Sequence, residues 1–217
     1  DALSERQVMF YFSDEKVGDI VASFGWDGRI LGAKGDYLHV VDANLGSLKS
    51  DPAINRSISY TVEPTEEGEL QATASVTYEH TADFDWKTTR YRTYTRIYVP
   101  QGSTLVSADG NEEELAITDE HGKTVFGTFI SIEPLDTETL SFTYILPEEL
   151  TQQIFADEYR LLIQKQAGTR AHDLELDITL PYKINVITPS DVFDKGGNQI
   201  KGTWDLSQDR EVLLQPK

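Results

Sequence analysis

The sequence predicts a mainly β fold, an antiparallel β-sandwich with one short N-terminal helix. From residue 37 onward, apolar residues recur at every second position, which is typical of strands with one buried face. Turn-forming segments such as 109–111 (DGN) and 195–198 (KGGN) separate the apolar stretches. Ten Tyr, nine Phe and three Trp supply bulky side chains for a core. Short strands separated in this way predict a sandwich or a barrel.

The clearest hairpin lies between residues 54 and 78. Two segments of alternating polarity flank the turn 64–68 (PTEEG), whose composition favours a chain reversal. The predicted core face consists of Ile58, Tyr60, Val62, Ala72, Ala74 and Val76, and the predicted solvent face of Ser57, Ser59, Thr73 and Ser75. A register slip of one residue would exchange the two sets.

The N-terminal residues predict a strand followed by a helix. Residues 7–12 (QVMFYF) favour a strand. Ser13 is placed to cap a helix and Gly25 to end it. The apolar stripe of that helix consists of Val17, Ile20, Val21 and Phe24, which fall at helical spacing.

Further strands are predicted at 91–99, 124–132, 140–146, 159–164, 174–180, 200–206 and 212–214. Residues 147–155 (PEELTQQIF) interrupt this pattern and predict a second short helix. This interruption sets a domain boundary near residue 150. We expect a β-sandwich with the N-terminal strand and helix over residues 1–150, and a smaller β-unit over 151–217 that is either separate or continuous with the first.

The net charge narrows the class of partner. With 19 basic and 37 acidic residues the formal charge is −18, which argues against nucleic acid and anionic lipid as ligands. Neutral glycans, basic proteins and cations remain, although acidity also serves solubility. The absence of Cys favours an extracytoplasmic location. No apolar run is long enough for a membrane span, so any membrane anchor is expected outside this chain.

No recognised catalytic motif is present. The four His residues are scattered, and the sequence has no P-loop, GxSxG or HExxH segment. A glycan hydrolase needs only two carboxylates, and Asp83 with Asp85 or Asp42 with Asp51 are candidate pairs. Pairs of this kind are easily found among 37 acids, so no catalytic residue is assigned.

Calcium is the candidate metal, and no other cofactor is predicted. Hard oxygen ligands on loops suit Ca²⁺. One candidate set is Asp109, Asn111, Glu112 and Glu113, and a second set is Asp42, Asn44 and Asp51. Neither set has the spacing of an EF-hand loop, and acidic turns are commonly only solvated.

One basic feature stands against the acidic background. Within residues 89–100 (TRYRTYTRIYVP), alternation puts arginine and tyrosine side chains on one strand face. The candidate ligand-binding residues are Arg90, Arg92, Tyr94, Arg96 and Tyr98, with Trp86 just upstream. Arginine matches anionic groups and aromatic rings pack on sugars, so this face could hold an anionic polymer or stack on sugars. The alternative is that the arginines pair with acids of neighbouring strands.

Several segments resemble the C-terminal part of the bacterial family called domain of unknown function 4012. They are residues 8–12, 25–28 (GWDG), 35–44 (GDYLHVVDAN), 49–51 (KSD), 94–102 (YTRIYVPQG) and 161–166 (LLIQKQ). The resemblance implies an outward-facing, membrane-anchored envelope protein, with an upstream region like the LytR-CpsA-Psr fold that attaches glycopolymers to cell wall. That upstream region is absent from this sequence.

The sequence therefore predicts a non-catalytic extracytoplasmic binding or scaffold module of a bacterial envelope protein, with an envelope glycan or another protein as partner. The alternatives are an accessory region of a cell-wall glycopolymer transferase and a glycan hydrolase that uses two carboxylates.

Overall fold

The computed structural model describes residues 2–46 and 48–216, which form two mixed β-sheets packed face to face. In chain order the elements are α1 (Glu15–Ser23), β1 (Asp36–Asn44), a 3₁₀ turn (Asp51–Ala53), β2 (Ile54–Pro64), β3 (Leu70–His80), β4 (Tyr91–Pro100), β5 (Thr104–Asp109), β6 (Ala116–Glu120), β7 (Lys123–Ile132), β8 (Thr137–Ile145), α2 (Glu148–Ala156), β9 (Tyr159–Gln164), β10 (Asp173–Thr179), β11 (Ile184–Thr188), β12 (Asp194–Gly196), β13 (Gln199–Asp205) and β14 (Arg210–Pro216). The predicted mainly β sandwich is confirmed.

Each sheet has seven strands. The first has the order β11-β14-β9-β1-β4-β7-β6 and the second the order β12-β13-β10-β2-β3-β8-β5. Most neighbours are antiparallel, but β1 is parallel to β9 and β2 is parallel to β10. These two parallel pairs join strands from before and after residue 150. The strands of residues 151–217 are therefore continuous with both sheets.

The predicted hairpin of β2 and β3 has the expected register. Ile58 pairs with Val76 and Tyr60 with Ala74. The six residues predicted for the core face are all buried. On the other face Ser57 is exposed, and Ser59, Thr73 and Ser75 are half-buried between neighbouring strands. The prediction of the core face is confirmed. Large aromatic residues pack between the two sheets, for example Phe126 and Phe142, whose ring centroids are 6.2 Å apart.

The N-terminal region differs from its prediction. Residues 7–12 form no strand, so that prediction is wrong. These apolar residues have β propensity, but they pair with no strand; instead Phe10 N–H donates to Trp26 O (2.8 Å), just after α1. Helix α1 forms as predicted, although its cap is Asp14, whose Oδ1 accepts from the N–H of Lys16 and Val17 (3.0 and 3.1 Å). Of the predicted apolar stripe, Val21 alone is buried.

Four strands were not predicted: β5, β6, β11 and β12. They lie at or next to sheet edges, and most of their residues are exposed or half-buried on both faces. Alternation of polar and apolar residues arises from burial of one face, so these strands lack the pattern that prediction requires. The second predicted helix is α2. Over the described ranges, no helix is long and apolar enough to cross a bilayer.

Candidate ligand-binding cleft

A cleft of about 770 Å³ lies where β2, β8 and β10 begin and β3 ends. Its walls come from the segment around the 3₁₀ turn and from residues 166–173, which connect β9 to β10. The charged and titratable residues of the lining are Asp42, Asp51, Arg56, Glu79, Arg170, His172 and Asp173. We call this feature the end cleft.

A buried ion pair lies in the wall of the end cleft. The side chains of Arg56 and Asp42 are 8% and 2% exposed, and Arg56 Nε is 3.0 Å from Asp42 Oδ2. These two atoms are close but not aligned for a hydrogen bond, and among the described residues neither has another hydrogen-bond partner. The pair therefore retains hydrogen-bonding capacity that the protein itself does not use.

Strands β3 and β4 hold this ion pair in place. Asp42 Oδ1 accepts hydrogen bonds from the hydroxyls of Tyr78 (2.8 Å), Thr95 (2.6 Å) and Thr93 (3.2 Å). Arg56 Nη2 donates to the Tyr91 hydroxyl at 2.5 Å. Because each group has several fixed partners, the charges are preorganised before any ligand arrives.

The electrostatic setting keeps these groups in defined protonation states. Burial opposes the charge on Arg56, but the Asp42 carboxylate together with Tyr91 and Tyr78 outweighs it, and the pKa of Arg56 is raised. Burial, followed by the Asp42 charge, raises the pKa of Tyr91 to about 12, so this hydroxyl remains a donor at neutral pH. Burial, reinforced by Arg56, lowers the pKa of His172 to about 4. His172 is therefore neutral at physiological pH.

The lining is acidic overall. Arg56 and Arg170 provide two positive charges against the four carboxylates of Asp42, Asp51, Glu79 and Asp173, a balance of minus two. Asp51 accepts from Asn44 Nδ2 at 2.7 Å and lies 3.8 Å from Arg56. An anionic ligand would meet net repulsion in this cleft.

The 166–170 loop, which forms one wall, is fixed from both sides. The Gln166 side chain makes two hydrogen bonds to the backbone of Asp42. Gln166 Nε2 donates to Asp42 O (2.8 Å), and Asp42 N–H donates to Gln166 Oε1 (3.0 Å). The N-terminal segment holds the other side: Gly168 N–H donates to Arg6 O (2.9 Å), and Arg6 forms an ion pair with Asp209. Lys165 Nζ is buried and donates to Thr169 O at 2.6 Å.

The predicted arginines lie elsewhere, on the outer side of the first sheet. Arg90 pairs with Glu133, Arg92 with Glu113 at 2.5 Å, and Arg96 with Glu120 at 3.7 Å. The glutamates come from the ends and neighbours of the adjacent strands β6 and β7. The structure thus brings the arginines together on one face, and each has a carboxylate partner. We call this face the Arg/Glu face.

The three aromatic residues predicted with these arginines lie in different surroundings. The Tyr94 ring packs on Phe129, with centroids 4.9 Å apart. Tyr98, expected on the same open face, is buried in a small cluster with Tyr37 and Val125, against which Ile30 and Ala33 from the N-terminal region pack. Trp86 is exposed in the loop before β4, and its ring contact is with Lys87 Nζ at 4.6 Å.

The predicted calcium ligands are engaged otherwise. Asn111 Nδ2 donates to Glu113 O at 3.0 Å, and the Glu113 carboxylate pairs with Arg92. Asp109 lies at the end of β5. In the second candidate set, Asp42 and Asp51 lie beside Arg56 in the end cleft, and Asn44 bonds to Asp51. Within the part of the chain that the structure describes, no group of three or more His, Asp or Glu side chains is placed to hold a metal ion.

The candidate catalytic pair Asp83 and Asp85 stabilises a loop. Asp85 Oδ1 accepts from the N–H groups of Lys87 (2.6 Å) and Thr88 (2.7 Å), and Asp83 Oδ1 accepts from Phe84 N–H. These bonds hold the turn before β4.

The Arg56–Asp42 pair was not predicted as a site, although the sequence contains a pattern that indicates such a pair. Arg56 falls on the same face of β2 as Ile54 and Ile58, and Asp42 falls on the same face of β1 as Leu38 and Val40. A charged residue in a core register is costly unless it is paired. Two such residues in separate strands could have been read as partners.

Comparison with known proteins gives a fold and no family. No protein-family model and no curated protein matches the chain. Among solved structures, a putative nutrient binding protein from Legionella pneumophila is similar with a TM-score of 0.51 and 12% identity, over 84% of this chain and 71% of that one. At this identity the likeness shows a shared fold.

Two enzymes are more weakly similar. Leukotriene A4 hydrolase from Saccharomyces cerevisiae has a TM-score of 0.39 at 9% identity, over 76% of this chain and 29% of that one. An M1 zinc metallopeptidase from Deinococcus radiodurans has a TM-score of 0.32 at 10% identity, over 76% and 42%. The chain thus matches less than half of either enzyme.

Proposed function

We propose that this chain is a non-catalytic binding module of a bacterial cell-envelope protein and that its ligand lies in the end cleft. The observation that carries the proposal is the polar end cleft itself, whose lining includes the preorganised Arg56–Asp42 pair and the exposed Arg170. A cleft of about 770 Å³ has the size of a small-ligand site. An extracytoplasmic location and a membrane anchor outside this chain are part of the proposal.

The ligand that best fits this lining is a neutral, hydroxyl-rich molecule such as a glycan. Sugar hydroxyls both donate and accept hydrogen bonds, so they can serve the arginine donors and the carboxylate acceptors of one site. The lining is acidic by two charges, which disfavours a polyanion. The name of the Legionella protein, which shares the fold, is compatible with a binding role.

The bonding of Asp42 and Asp51, the candidate catalytic pair that lies in the cleft, favours binding over hydrolysis. A two-carboxylate hydrolase needs one group that exchanges a proton with the substrate. Asp42 accepts three hydroxyl donors on Oδ1 and faces the Arg56 guanidinium on Oδ2. Asp51 accepts from Asn44 and lies near the same guanidinium. Both groups are engaged as acceptors by fixed donors of the protein.

The experiment is a calorimetric titration with a tetrasaccharide of N-acetylglucosamine as the neutral probe and polygalacturonate as the anionic probe. We expect the neutral probe to bind and Arg170→Ala to weaken it about tenfold, the loss expected for a charge-assisted hydrogen bond. Arg160→Ala is the matched control, because Arg160 is an exposed arginine outside the cleft lining. Absence of binding to the neutral probe would overturn the proposal.

Two other results would identify the alternatives. Cleavage of the tetrasaccharide, followed by chromatography and lost in Asp51→Asn, would make the chain a hydrolase. Binding of polygalacturonate alone, lost when Arg90, Arg92 and Arg96 are replaced, would favour the accessory region of a glycopolymer transferase.

A further inference from the structure

A second depression adjoins the end cleft on the outer face of the second sheet. It has a volume of about 660 Å³ and shares Ser57, Thr77 and Asp173 with the end cleft. Its other polar lining residues are Ser59, Glu175, Thr203, Trp204 and Asp205. We call this depression the groove. Because the two depressions share three lining residues, they form a continuous surface.

Three residues of the groove lining, Ser57, Ser59 and Thr77, belong to a regular array of hydroxyl groups. Strands β2, β3 and β8 are adjacent, and their registered outer positions form three rows of three: Ser57, Thr77 and Thr139; Ser59, Ser75 and Ser141; Thr61, Thr73 and Thr143. Neighbouring strands lie about 4.8 Å apart, and residues two apart on a strand about 6.6 Å. The array therefore covers roughly 10 Å by 13 Å.

This array is unlike the rest of the surface. A quarter of the chain is charged (26%), yet none of these nine registered positions carries a charge or a long side chain. Several hydroxyls bond to one another, as Thr77 with Thr139 (2.9 Å) and Ser75 with Ser141 (2.8 Å). Each hydroxyl has one proton and two lone pairs, so capacity remains for a ligand.

The edge of the array defines the charge that a ligand can carry. Strand β10 runs parallel to β2 and places Asp173 beside Ser57, Glu175 beside Ser59 and Asp177 beside Thr61. The charged residues that line the groove are Asp173, Glu175 and Asp205, all acidic. Lys201 pairs with Asp177 and Arg210 pairs with Asp205, so Asp173 and Glu175 supply the acidity of this edge. These two carboxylates would repel a polyanion, whereas hydroxyl groups of a neutral ligand could donate to them.

Trp204 lines the groove, but its ring contributes little to stacking on a ligand. The guanidinium of Arg210 lies over its ring at 4.6 Å, and Phe193 contacts it edge-on with centroids 6.0 Å apart. Since the ring is occupied, binding in the groove depends on hydroxyl and carboxylate groups rather than on stacking.

We propose that the end cleft and the groove form one extended site for a linear neutral glycan of several units, with one end in the cleft and the following units along the groove, over the array hydroxyls Ser57, Ser59 and Thr77 that line it. This inference rests on the proposed function. Each depression alone has the volume of a small-ligand pocket, so two joined depressions accommodate a chain longer than one or two sugars. The site distinguishes chains by length and rejects charged ones.

The test compares ligands of different length. We expect the tetrasaccharide of N-acetylglucosamine to bind at least about tenfold more tightly than the disaccharide, because additional units add hydrogen bonds in the groove. Ser59→Arg places a long cation in the groove beside Glu175. This variant should abolish the advantage of the tetrasaccharide while leaving disaccharide affinity unchanged.

The matched control is Thr143→Arg, on the same face of the sheet but outside both depressions. It should bind both probes like the parent, and Ser59→Thr, which keeps the hydroxyl, should retain most of the length dependence. Equal affinity of the parent for the two probes, or an effect of Thr143→Arg as large as that of Ser59→Arg, would overturn the extended site. If neither probe binds, the proposed function itself fails.

Discussion

The two faces of β4 carry the same pairing of arginine with carboxylate in opposite surroundings. On the inner face, Tyr91, Thr93 and Thr95 contact the buried pair of Arg56 and Asp42. On the outer face, Arg92 and Arg96 pair with glutamates in contact with water, and their side chains are 40% and 33% exposed. The difference in exposure predicts that the inner pair matters far more for stability than the outer pairs.

The physical reason is the solvent. Water screens exposed charges and competes for their hydrogen bonds, so surface ion pairs contribute about 0–1 kcal/mol each. Inside the protein, a charge that loses its partner retains the full cost of its burial. The ion pair in the end cleft therefore resists disruption, whereas the Arg/Glu face can vary with little effect on the fold.

The largest effect is expected for Arg56→Leu. This change leaves Asp42 buried without its counter-charge and should lower the free energy of unfolding by about 3–5 kcal/mol. Urea denaturation measures it. Replacing both residues by leucine should recover a large part of the loss, since no isolated charge remains. A loss below about 1 kcal/mol in the single variant would make the inner pair equivalent to the outer ones.

The next effect concerns Asp36, buried in the core with hydrogen bonds from Tyr60 and Tyr159 at 2.7 and 2.6 Å. Burial raises the pKa of Asp36 to about 6 from 3.8. Because the folded pKa is raised, its stabilising contribution is complete below about pH 4 and is lost as the pH rises through about 6. The change amounts to about 3 kcal/mol.

Asp36→Asn tests this sign. The stability of the parent relative to the variant should increase as the pH falls from 7 to about 4, measured by urea denaturation across that range. His39→Gln should give the opposite slope, because burial lowers the pKa of His39 to about 4 from 6.5 and its contribution is lost on acidification. Equal slopes for the two variants would contradict the assigned burial effects.

A smaller effect is expected on the Arg/Glu face. Replacing Arg90, Arg92 and Arg96 by serine should cost about 1–3 kcal/mol in total, from exposed ion pairs and from the packing of Arg92 on Phe129 (4.3 Å). The ionic part should shrink at high salt because exposed charges are screened. A parent protein that binds polygalacturonate, and a triple variant of unchanged stability that does not, would show a docking face instead.

The smallest effect is expected from calcium. The carboxylate of Glu113 is occupied by Arg92, and those of Asp42 and Asp51 face Arg56. A ligand of the native state raises the melting temperature by mass action, so an unoccupied loop should show no change. We expect the same melting temperature in millimolar calcium and in chelator. A clear rise with calcium would mean that these ion pairs open to admit a metal.

The sequence by itself determined the sandwich and the core faces of its central strands. Period-two alternation in β2 and β3 reports burial directly, so the register could be predicted residue by residue. Alternation did not predict β6 and β12, because a strand exposed on both faces shows no alternation of polar and apolar residues. It also suggested a strand at 7–12, where propensity is present but no neighbouring strand offers a hydrogen-bonding edge.

Only the tertiary structure decided which polar groups meet. Asp42 and Arg56 are separate in sequence and lie in different sheets, and they converge because their strands end at the same corner of the sandwich. The hydroxyl rows likewise depend on the register between β3 and β8, which are separated in the chain by four strands, three of them from the first sheet. Alternation fixes which way a side chain points, whereas strand order and register fix what it meets.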